Sequence, residues 1–435
     1  MKRLLVLIFS FVYLCSCALP YGDITEKTLP DRLFYIKKIS LRSNTPEQNE
    51  ETDEFMHAFW VSQFDMHPIY RDGGKQRSES DYINLINTML ENILRDGFDT
   101  VFLQVRPNGD SMYESEFYPN SKYVAGIYGG DIEYDVISLF LSIAKEKCVA
   151  VHAWINPFRL CREDELTAHG EGILYEWYCE GIGKRIEKGE DGLLYLDPSY
   201  EEATELIING AREILEKYDF CGIHIDDYFY PTEFEFDDDE NFIASEYGNI
   251  GDFRRSNINR TVRALYALTS EYGKIFGVSP AGNIYSLEEG WYVDIFTWLS
   301  EDGYIDYVMP QLYYGFKNAV CPFDKILADW VNAVKNENIK LYIGLSGAKC
   351  VLGSENAEDA FAGDSGKYEW RDEKDILARS YELAESVADG ICIFSYSSFF
   401  DVINGSENEL AYAEKENLTE AIKKNIPDES SIGDD

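Results

Sequence analysis

Short apolar, β-rich runs alternate with longer amphipathic segments along most of this 435-residue chain. Eight such runs can be counted, at residues 57–64, 100–107, 149–157, 221–226, 274–280, 305–313, 340–346 and 390–398. Between most of them apolar residues recur three and four positions apart, which predicts helices with one buried face. The interval between the fifth and sixth runs is weaker, because DIFTWLSEDG predicts only a short helix. Eight alternating units predict an α/β fold of the (β/α)8 TIM-barrel type.

The pattern also divides the chain into segments. Residues 1–17 carry two basic residues, an apolar run and a cysteine, as in a bacterial lipoprotein signal with Cys17 as the lipidated residue. We expect residues 18–54 to form a polar linker and residues 55–405 to form the barrel. We expect residues 406–435 to form a C-terminal helix with an acidic tail. We therefore expect an exported protein that touches the membrane only through its lipid. Ordinary cleavage after Ala18, which would give a soluble secreted or periplasmic protein, is the alternative.

Composition narrows the choice of partner. A formal charge of −40 disfavours nucleic acid and anionic membrane surfaces, so the partner should be neutral or basic. Aromatic residues make up 14% of the chain and include 31 tyrosines, which suits a groove that stacks on sugar rings. The cysteines after Cys17 are scattered, and no CxxC or HExxH spacing predicts a metal site. No glycine-rich phosphate loop follows the first run, which argues against a nucleotide-binding sheet. No cofactor is predicted.

The run CGIHIDDYFYP ends in two adjacent carboxylates, Asp226 and Asp227. Strand alternation puts His224 and Asp226 on one face and the isoleucines on the other. Catalytic residues of TIM barrels lie at the C-terminal ends of strands and in the loops beyond. The same parity on the other strands, with the loops that follow, predicts a site containing Gln104, Arg106, Asp110, His152, Trp154, Asn156, Arg159, Tyr228, Tyr230, Gln311, Tyr313 and Tyr314.

Purely structural roles are alternatives for several of these residues. The amides Gln104, Asn156 and Gln311 could tie loop backbones together, and either histidine could be a satisfied core residue. Asp227 could cap the next loop. Asp226 is harder to dismiss, because an ionised carboxylate on an inner face is costly unless it is paired or functional.

Glycoside cleavage is the chemistry that best matches carboxylates, amides and ring-rich walls. It commonly needs one ionised and one protonated carboxyl group. We assign Asp226 the ionised role, on the expectation that Arg106 or His152 lowers its proton affinity. The rings predicted to stack on sugars are Trp154, Tyr228, Tyr230, Tyr313 and Tyr314.

The segments QVRPNGDSMYESEFYP, HAWINPFR, LDPS, GIHIDDYFYP, GVSPAG and DYVMPQLYYG resemble those of the bacterial glycosyl-hydrolase-like family ten, also called domain of unknown function 187. The resemblance covers about residues 55 to 350. It implies a TIM barrel, an exported or lipoprotein location, and activity on a polysaccharide, with peptidoglycan glycan strands favoured. It supports as site residues Arg106, Asp110, His152, Asn156, Arg159, Asp226, Asp227, Tyr228 and Gln311.

Two points depart from the family pattern or stay open. Ahead of the fourth helix, where members usually have a Trp followed by Arg, this chain has Phe253, Arg254 and Arg255. The second catalytic carboxylate is unassigned, with Asp227, Asp110 and Glu233 as candidates. Two other functions remain alternatives: a non-catalytic carbohydrate-binding lipoprotein, and a metal-dependent deacetylase or hydrolase using His152, His224 and Asp226. The oligomeric state is not predicted.

Overall fold

A computed structural model describes residues 55–189, 192–227, 229–230 and 238–425. The predicted signal with Cys17, the linker and the acidic tail from residue 426 lie outside these ranges. Tyr228 and Glu233 also lie outside the described residues, so their predicted roles stay predictions.

Eight parallel strands close into one barrel, in the order β1-β8-β7-β6-β5-β4-β3-β2 and back to β1. They are β1 (Met56–Val61), β2 (Thr100–Arg106), β3 (Ala150–Ile155), β4 (Gly222–Asp226), β5 (Ile275–Ser279), β6 (Tyr307–Val308), β7 (Lys340–Ser346) and β8 (Gly390–Phe394). All eight predicted runs contain a strand, and the predicted TIM barrel is confirmed. Strand β6 is shorter than its run because Pro310 has no N–H for the ladder.

A helix follows each strand on the outside of the barrel. These helices are α1 (Glu79–Arg95), α2 (Val136–Glu146), α3 (Glu201–Lys217), α4 (Ile250–Glu271), α5 (Ile295–Trp298), α6 (Phe323–Ala333), α7 (Ile376–Glu385) and α8 (Tyr412–Asn425). The stretch DIFTWLSEDG between β5 and β6 holds the single turn α5, and two further short turns precede it in the same interval.

Shorter elements decorate the loops. Short helices span Gln63–Tyr70, Lys122–Ala125, Glu163–His169, Ile173–Glu180, Asp239–Ala244, Leu287–Gly290, Gly347–Ser354, Gly363–Gly366, Glu369–Asp372 and Tyr396–Phe399, with a 3₁₀ turn at Ile284–Ser286. A hairpin pairs Arg71–Asp72 with Lys75–Gln76, and an antiparallel sheet joins Arg159–Arg162, Leu193–Leu196 and Ile186–Lys188. Within the described part of the chain, no helix has the length and apolar character needed to cross a membrane.

Two apolar layers hold the barrel together. The larger one lies between strands and helices, where outward residues such as Ile223 and Ile225 pack. The smaller one fills the barrel interior and is ring-rich, with Trp60, Phe102 and Tyr307 at its centre. An aromatic interior leaves little free volume, which holds the side chains above it in place.

Helix α8 completes the ring of helices. It packs against α7, and Leu418 and Ile422 are fully buried there. The Glu414 carboxylate accepts hydrogen bonds from the backbone N–H groups of Ile376 and Leu377, at 3.2 and 3.0 Å. These are N–H groups of the first turn of α7, which have no partner inside their own helix. The carboxylate of Glu414 therefore fixes α8, the predicted C-terminal helix, to the start of α7.

Candidate active site

The two adjacent carboxylates lie at the C-terminal rim of the barrel. Asp226 is the last residue of β4, where it pairs with Ser279 of β5, and Asp227 follows it. Both are buried, with only 2% and 4% of their surface exposed. Because a carboxylate in such a place must be paired, protonated or functional, the surroundings of Asp226 decide its role.

A row of amide groups leads to Asp226 across three strands. The backbone N–H of Gln63, just after β1, donates to Gln104 Oε1 at 2.9 Å. Gln104 Nε2 donates to Asn156 Oδ1 at 2.6 Å, and Asn156 Nδ2 donates to Asp226 Oδ1. The structure thus brings Gln104, Asn156 and Asp226 together, as the sequence analysis expected. It also shows that the two amides contact protein groups rather than open solvent.

The pKa of Asp226 is raised well above its usual value. Burial is the main cause, and the neighbouring Asp227 carboxylate adds to it. The Arg159 charge, the Asn156 amide and the Trp154 indole act in the opposite direction but do not offset the burial. The indole N–H lies near the carboxyl without making a well-formed hydrogen bond. The expectation that Arg106 or His152 holds Asp226 ionised is therefore wrong.

Arg106 lies on the other side of the barrel wall. A register shift between Gln104 and Arg106 breaks the strand alternation and places Arg106 opposite Ile155, an outer-layer residue. Its guanidinium packs over the Tyr118 ring at 4.2 Å and lies so close to Gly210 of α3 that a Cβ there would collide with it. Arg106 braces the β2 loop against α3 and does not contribute to the site.

Both predicted histidines belong to the barrel interior. His224 Nε2 accepts a hydrogen bond from Trp60 Nε1 at 3.1 Å, and its Nδ1 pairs with the Tyr307 hydroxyl at 2.9 Å. Burial lowers the pKa of His224 well below its usual value and that of His152 to about 4. The ring of His152 stacks on Phe102. The structure therefore places both histidines in the aromatic interior in their neutral form, and their predicted substrate contact stays a prediction.

Two of the predicted sugar-stacking tyrosines also face away from the interior. Tyr314 packs in the layer between strands and helices. The Tyr230 hydroxyl donates a hydrogen bond to Asp238, and Tyr230 is fully buried in the same layer. Trp154 and Tyr313 do belong to the interior cluster at the rim, where Tyr313 stacks on Phe394. Of the five rings predicted to stack on sugars, these two lie in the interior cluster, and both are buried, at 2% and 6% exposed.

The remaining predicted residues divide between site and loop. Gln311 Nε2 donates to the backbone oxygen of Ser279 at 3.2 Å, beside the register position of Asp226. Arg159 Nε donates to the backbone oxygen of Pro107 at 3.0 Å, and its charge acts on Asp226. Asp110 accepts from the backbone N–H of Asn108, and burial raises its pKa to about 6. Asp110 is thus held by its own loop, and its role as the second catalytic carboxylate stays a prediction.

The sequence analysis missed an ionic cluster around Asp238, which follows β4 in the chain. Arg254 Nη2 and Nε contact the two oxygens of Asp238 at 2.7 and 2.9 Å, and the guanidinium lies over the rings of Tyr230 and Tyr292. Burial raises the pKa of the nearby Asp197 to about 7. Asp197 belongs to the quoted LDPS segment, but nothing in that segment alone indicates its burial.

The Phe253 departure is accommodated by packing. Phe253 is buried against Phe242 and Tyr247, with ring centroids 5.7 and 6.0 Å away. Arg254, the second residue of the pair, makes the ionic contacts with Asp238. Local packing is therefore intact with phenylalanine in this place.

The described ranges contain no group of side chains that could ligate a metal ion. No group of three or more His, Cys, Asp or Glu side chains there could hold an ion. His224, one of the ligands of the metal-dependent alternative, has both ring nitrogens engaged by Trp60 and Tyr307. The residues present do not fit that alternative.

The chain is similar to known proteins over most of its length. A family model described as Glycosyl hydrolase-like 10 matches residues 55–362. The glycosyl hydrolase YngK of Bacillus subtilis is 28% identical over 69% of this chain and 62% of its own length. The glycosyl hydrolase DigH of Escherichia coli K12 is 26% identical over 79% of this chain and 82% of its own. The chain thus spans less than two thirds of the YngK relative.

Solved structures support the fold. The glycoside hydrolase domain of PgaB from Bordetella bronchiseptica superposes with a TM-score of 0.51 at 14% identity, covering 84% of this chain and 99% of that one. The catalytic domain of a β-amylase from Paenibacillus polymyxa gives 0.52 at 11% identity, covering 86% and 99%. At these identities the likeness concerns the barrel alone.

Proposed function

This chain belongs to the glycosyl hydrolase-like 10 family and is a glycoside hydrolase-like TIM-barrel enzyme, and we propose that it hydrolyses a bacterial polysaccharide with Asp226 as the proton donor. The observation that carries the proposal is the burial of two adjacent carboxyl groups, Asp226 and Asp227, at the barrel rim, which raises the pKa of Asp226. A general acid must hold its proton near neutral pH and release it to the leaving oxygen. This role replaces the ionised one that parity alone had suggested.

Asp227 is the proposed ionised partner. Two neighbouring carboxyl groups in a poorly hydrated place do not both ionise readily, so one proton is shared by the pair. With the proton on Asp226, Asp227 carries the charge, and a carboxylate there can stabilise positive charge on the sugar or orient its substituents. Arg159 adds a positive charge close to the pair, which keeps a single negative charge tolerable.

The proposed substrate is a neutral or basic glycan, with peptidoglycan glycan strands favoured. The net charge of −40 supports this class, because the field of the protein repels polyanionic chains. The ring-rich interior cluster, which includes Trp154 and Tyr313, supports a sugar as the substrate. A cell-envelope substrate is also consistent with the lipoprotein-type start of the sequence.

The proposed location is the cell envelope, with a lipid on Cys17. The run from Leu14 to Cys17 supports it. Metabolic labelling with a palmitate analogue should mark the full-length protein and should be lost in Cys17→Ala. Label that persists in the variant would refute the anchor.

Catalysis is tested with defined peptidoglycan glycan strands and a panel of neutral polysaccharides, with products identified by mass spectrometry. The key variant is Asp226→Asn, which keeps shape and the contact with Asn156 but has no proton of suitable acidity. It should lose about 10²- to 10⁴-fold in kcat while glycan binding is kept.

The matched control is Asp219→Asn, because Asp219 lies just before the opposite end of β4 and is exposed. It should hydrolyse at the parental rate. Near-parental turnover by Asp226→Asn would refute the assigned acid. Binding without any product from the parent protein would favour the carbohydrate-binding alternative instead.

A further inference from the structure

We infer that Gln104 is a positioning residue that determines which oxygen of Asp226 carries the catalytic proton. The inference rests on the proposed role of Asp226 as proton donor. It assigns Gln104 an action through Asn156 rather than the sugar contact that the sequence analysis expected.

The amide row begins at a backbone N–H group, which can only donate a hydrogen bond. A backbone N–H only donates, so the N–H of Gln63 requires an oxygen opposite it. That N–H belongs to the first turn of the helix Gln63–Tyr70, where it has no partner within the helix. Gln104 Oε1 supplies the oxygen, which turns the NH₂ group of the same amide toward Asn156.

The orientation of the Gln104 amide in turn sets the orientation of the Asn156 amide. The Gln104 NH₂ group needs an acceptor, so Asn156 must present Oδ1 to it and its own NH₂ group to Asp226. Inverting Asn156 would place two NH₂ groups against each other in a region where Gln104 is fully buried and Asn156 only 3% exposed. Leaving buried donors unsatisfied costs about 1–3 kcal/mol each, so the inverted form is rare.

The end of the row is the reacting carboxyl group. Asp226 Oδ1 accepts the N–H of Asn156, so a proton on that oxygen would compete with a donor already in place. Oδ2 makes no well-formed hydrogen bond to the described residues and is left to carry the proton. One oxygen therefore holds the carboxyl in place while the other is the acid.

Gln104→Glu and Gln104→Met test this. Glutamate can still accept from the Gln63 N–H but cannot donate to Asn156, so Asn156 turns its NH₂ group away from Asp226. Methionine has similar volume and no polar group, so Asn156 is free to adopt both orientations.

Both variants remove or weaken the N–H donor that favours ionised Asp226. We expect kcat to fall about tenfold or more in Gln104→Glu and several-fold in Gln104→Met. In both, the alkaline limb of the kcat profile should move to higher pH, with KM within about twofold.

The matched control is Gln76→Met. Gln76 is also a buried glutamine whose Oε1 accepts a backbone N–H, that of Glu133 at 2.8 Å, but its contacts lie in the β1 and β2 loops away from the amide row. It should lose comparable thermal stability and keep the parental pH profile. A merely structural role for Gln104 would make its variants behave in the same way.

Three outcomes separate the possibilities. A parental pH profile in Gln104→Met, whatever its stability, overturns the positioning role. A raised KM with unchanged kcat would show that Gln104 contacts substrate, which also overturns it. Near-parental turnover by Asp226→Asn would instead remove the proposed acid itself, so failure of the two proposals can be told apart.

Discussion

The ion pair beneath helix α8 allows a quantitative prediction for Lys415→Met. The Lys415 side chain is only 2% exposed, and its Nζ lies 3.0 Å from Asp96 Oδ2 and 2.9 Å from Glu407 Oε1. Asp96, at the end of α1, is 4% exposed, so the variant leaves a buried carboxylate with Arg95 alone. Breaking a buried pair costs about 3–5 kcal/mol, and the retained Arg95 contact places this case near about 3 kcal/mol.

The free energy of unfolding is measured by urea denaturation, with calorimetry for Tm. Unfolding entropy scales with chain length, so about 3 kcal/mol corresponds to a fall in Tm of about 4 °C for a barrel of this size. The double variant Asp96→Asn/Lys415→Met removes both charges and should recover at least half of the loss. A loss below about 1 kcal/mol in Lys415→Met, or a double variant no more stable than it, would refute the reasoning.

Three further predictions address the tail, the core histidine and the pH dependence. Deleting residues 426–435 should leave the Tm unchanged in calorimetry. Deleting residues 412–435 removes the buried Leu418 and Ile422, whose burial contributes about 3–6 kcal/mol together, and should lower the Tm sharply. Equal effects of the two deletions would contradict the packing of α8. Trp60→Phe removes the donor to His224 Nε2 and should cost at least about 1–3 kcal/mol in urea denaturation, and a neutral result would mean that the bond contributes nothing. Asp226 acts in its protonated form and its pKa is raised, so kcat should stay constant as pH rises past the usual aspartate range. It should decline only when pH passes the raised pKa. Stopped assays across pH that show no such decline would mean that Asp226 acts as an ionised group.

Much of the architecture could be predicted from local pattern. Alternating runs specified eight strands and the helices after them, and barrel closure follows because each strand must bury both faces. Position at strand ends also located Asp226, Asp227 and Asn156 correctly at the C-terminal rim. These features depend on near neighbours in sequence or on rules shared by all barrels of this kind.

What the pattern could not supply was the direction of single side chains and their electrostatic state. Parity counted from Gln104 put Arg106 inside, and the irregularity before Arg106 turned it toward α3. Position after the strand ends put Tyr314 and Tyr230 in loops near the site, whereas both rings pack in the layer between strands and helices. An irregular residue in a strand leaves no reliable mark in composition, so only the pairing of strands reveals it.

The charge on Asp226 was decided in the same way. The sequence by itself determined that a carboxyl group ends β4, together with a second one beside it. Whether the first is ionised depends on its burial, on the cations near it and on the orientation of the amides that contact it. The hydrogen bonds of this amide row join residues 41 to 70 positions apart, which meet only in the folded barrel. Tertiary structure therefore set the proton affinity of Asp226, because desolvation and hydrogen bonding are properties of the assembled site and not of the strand that carries the residue.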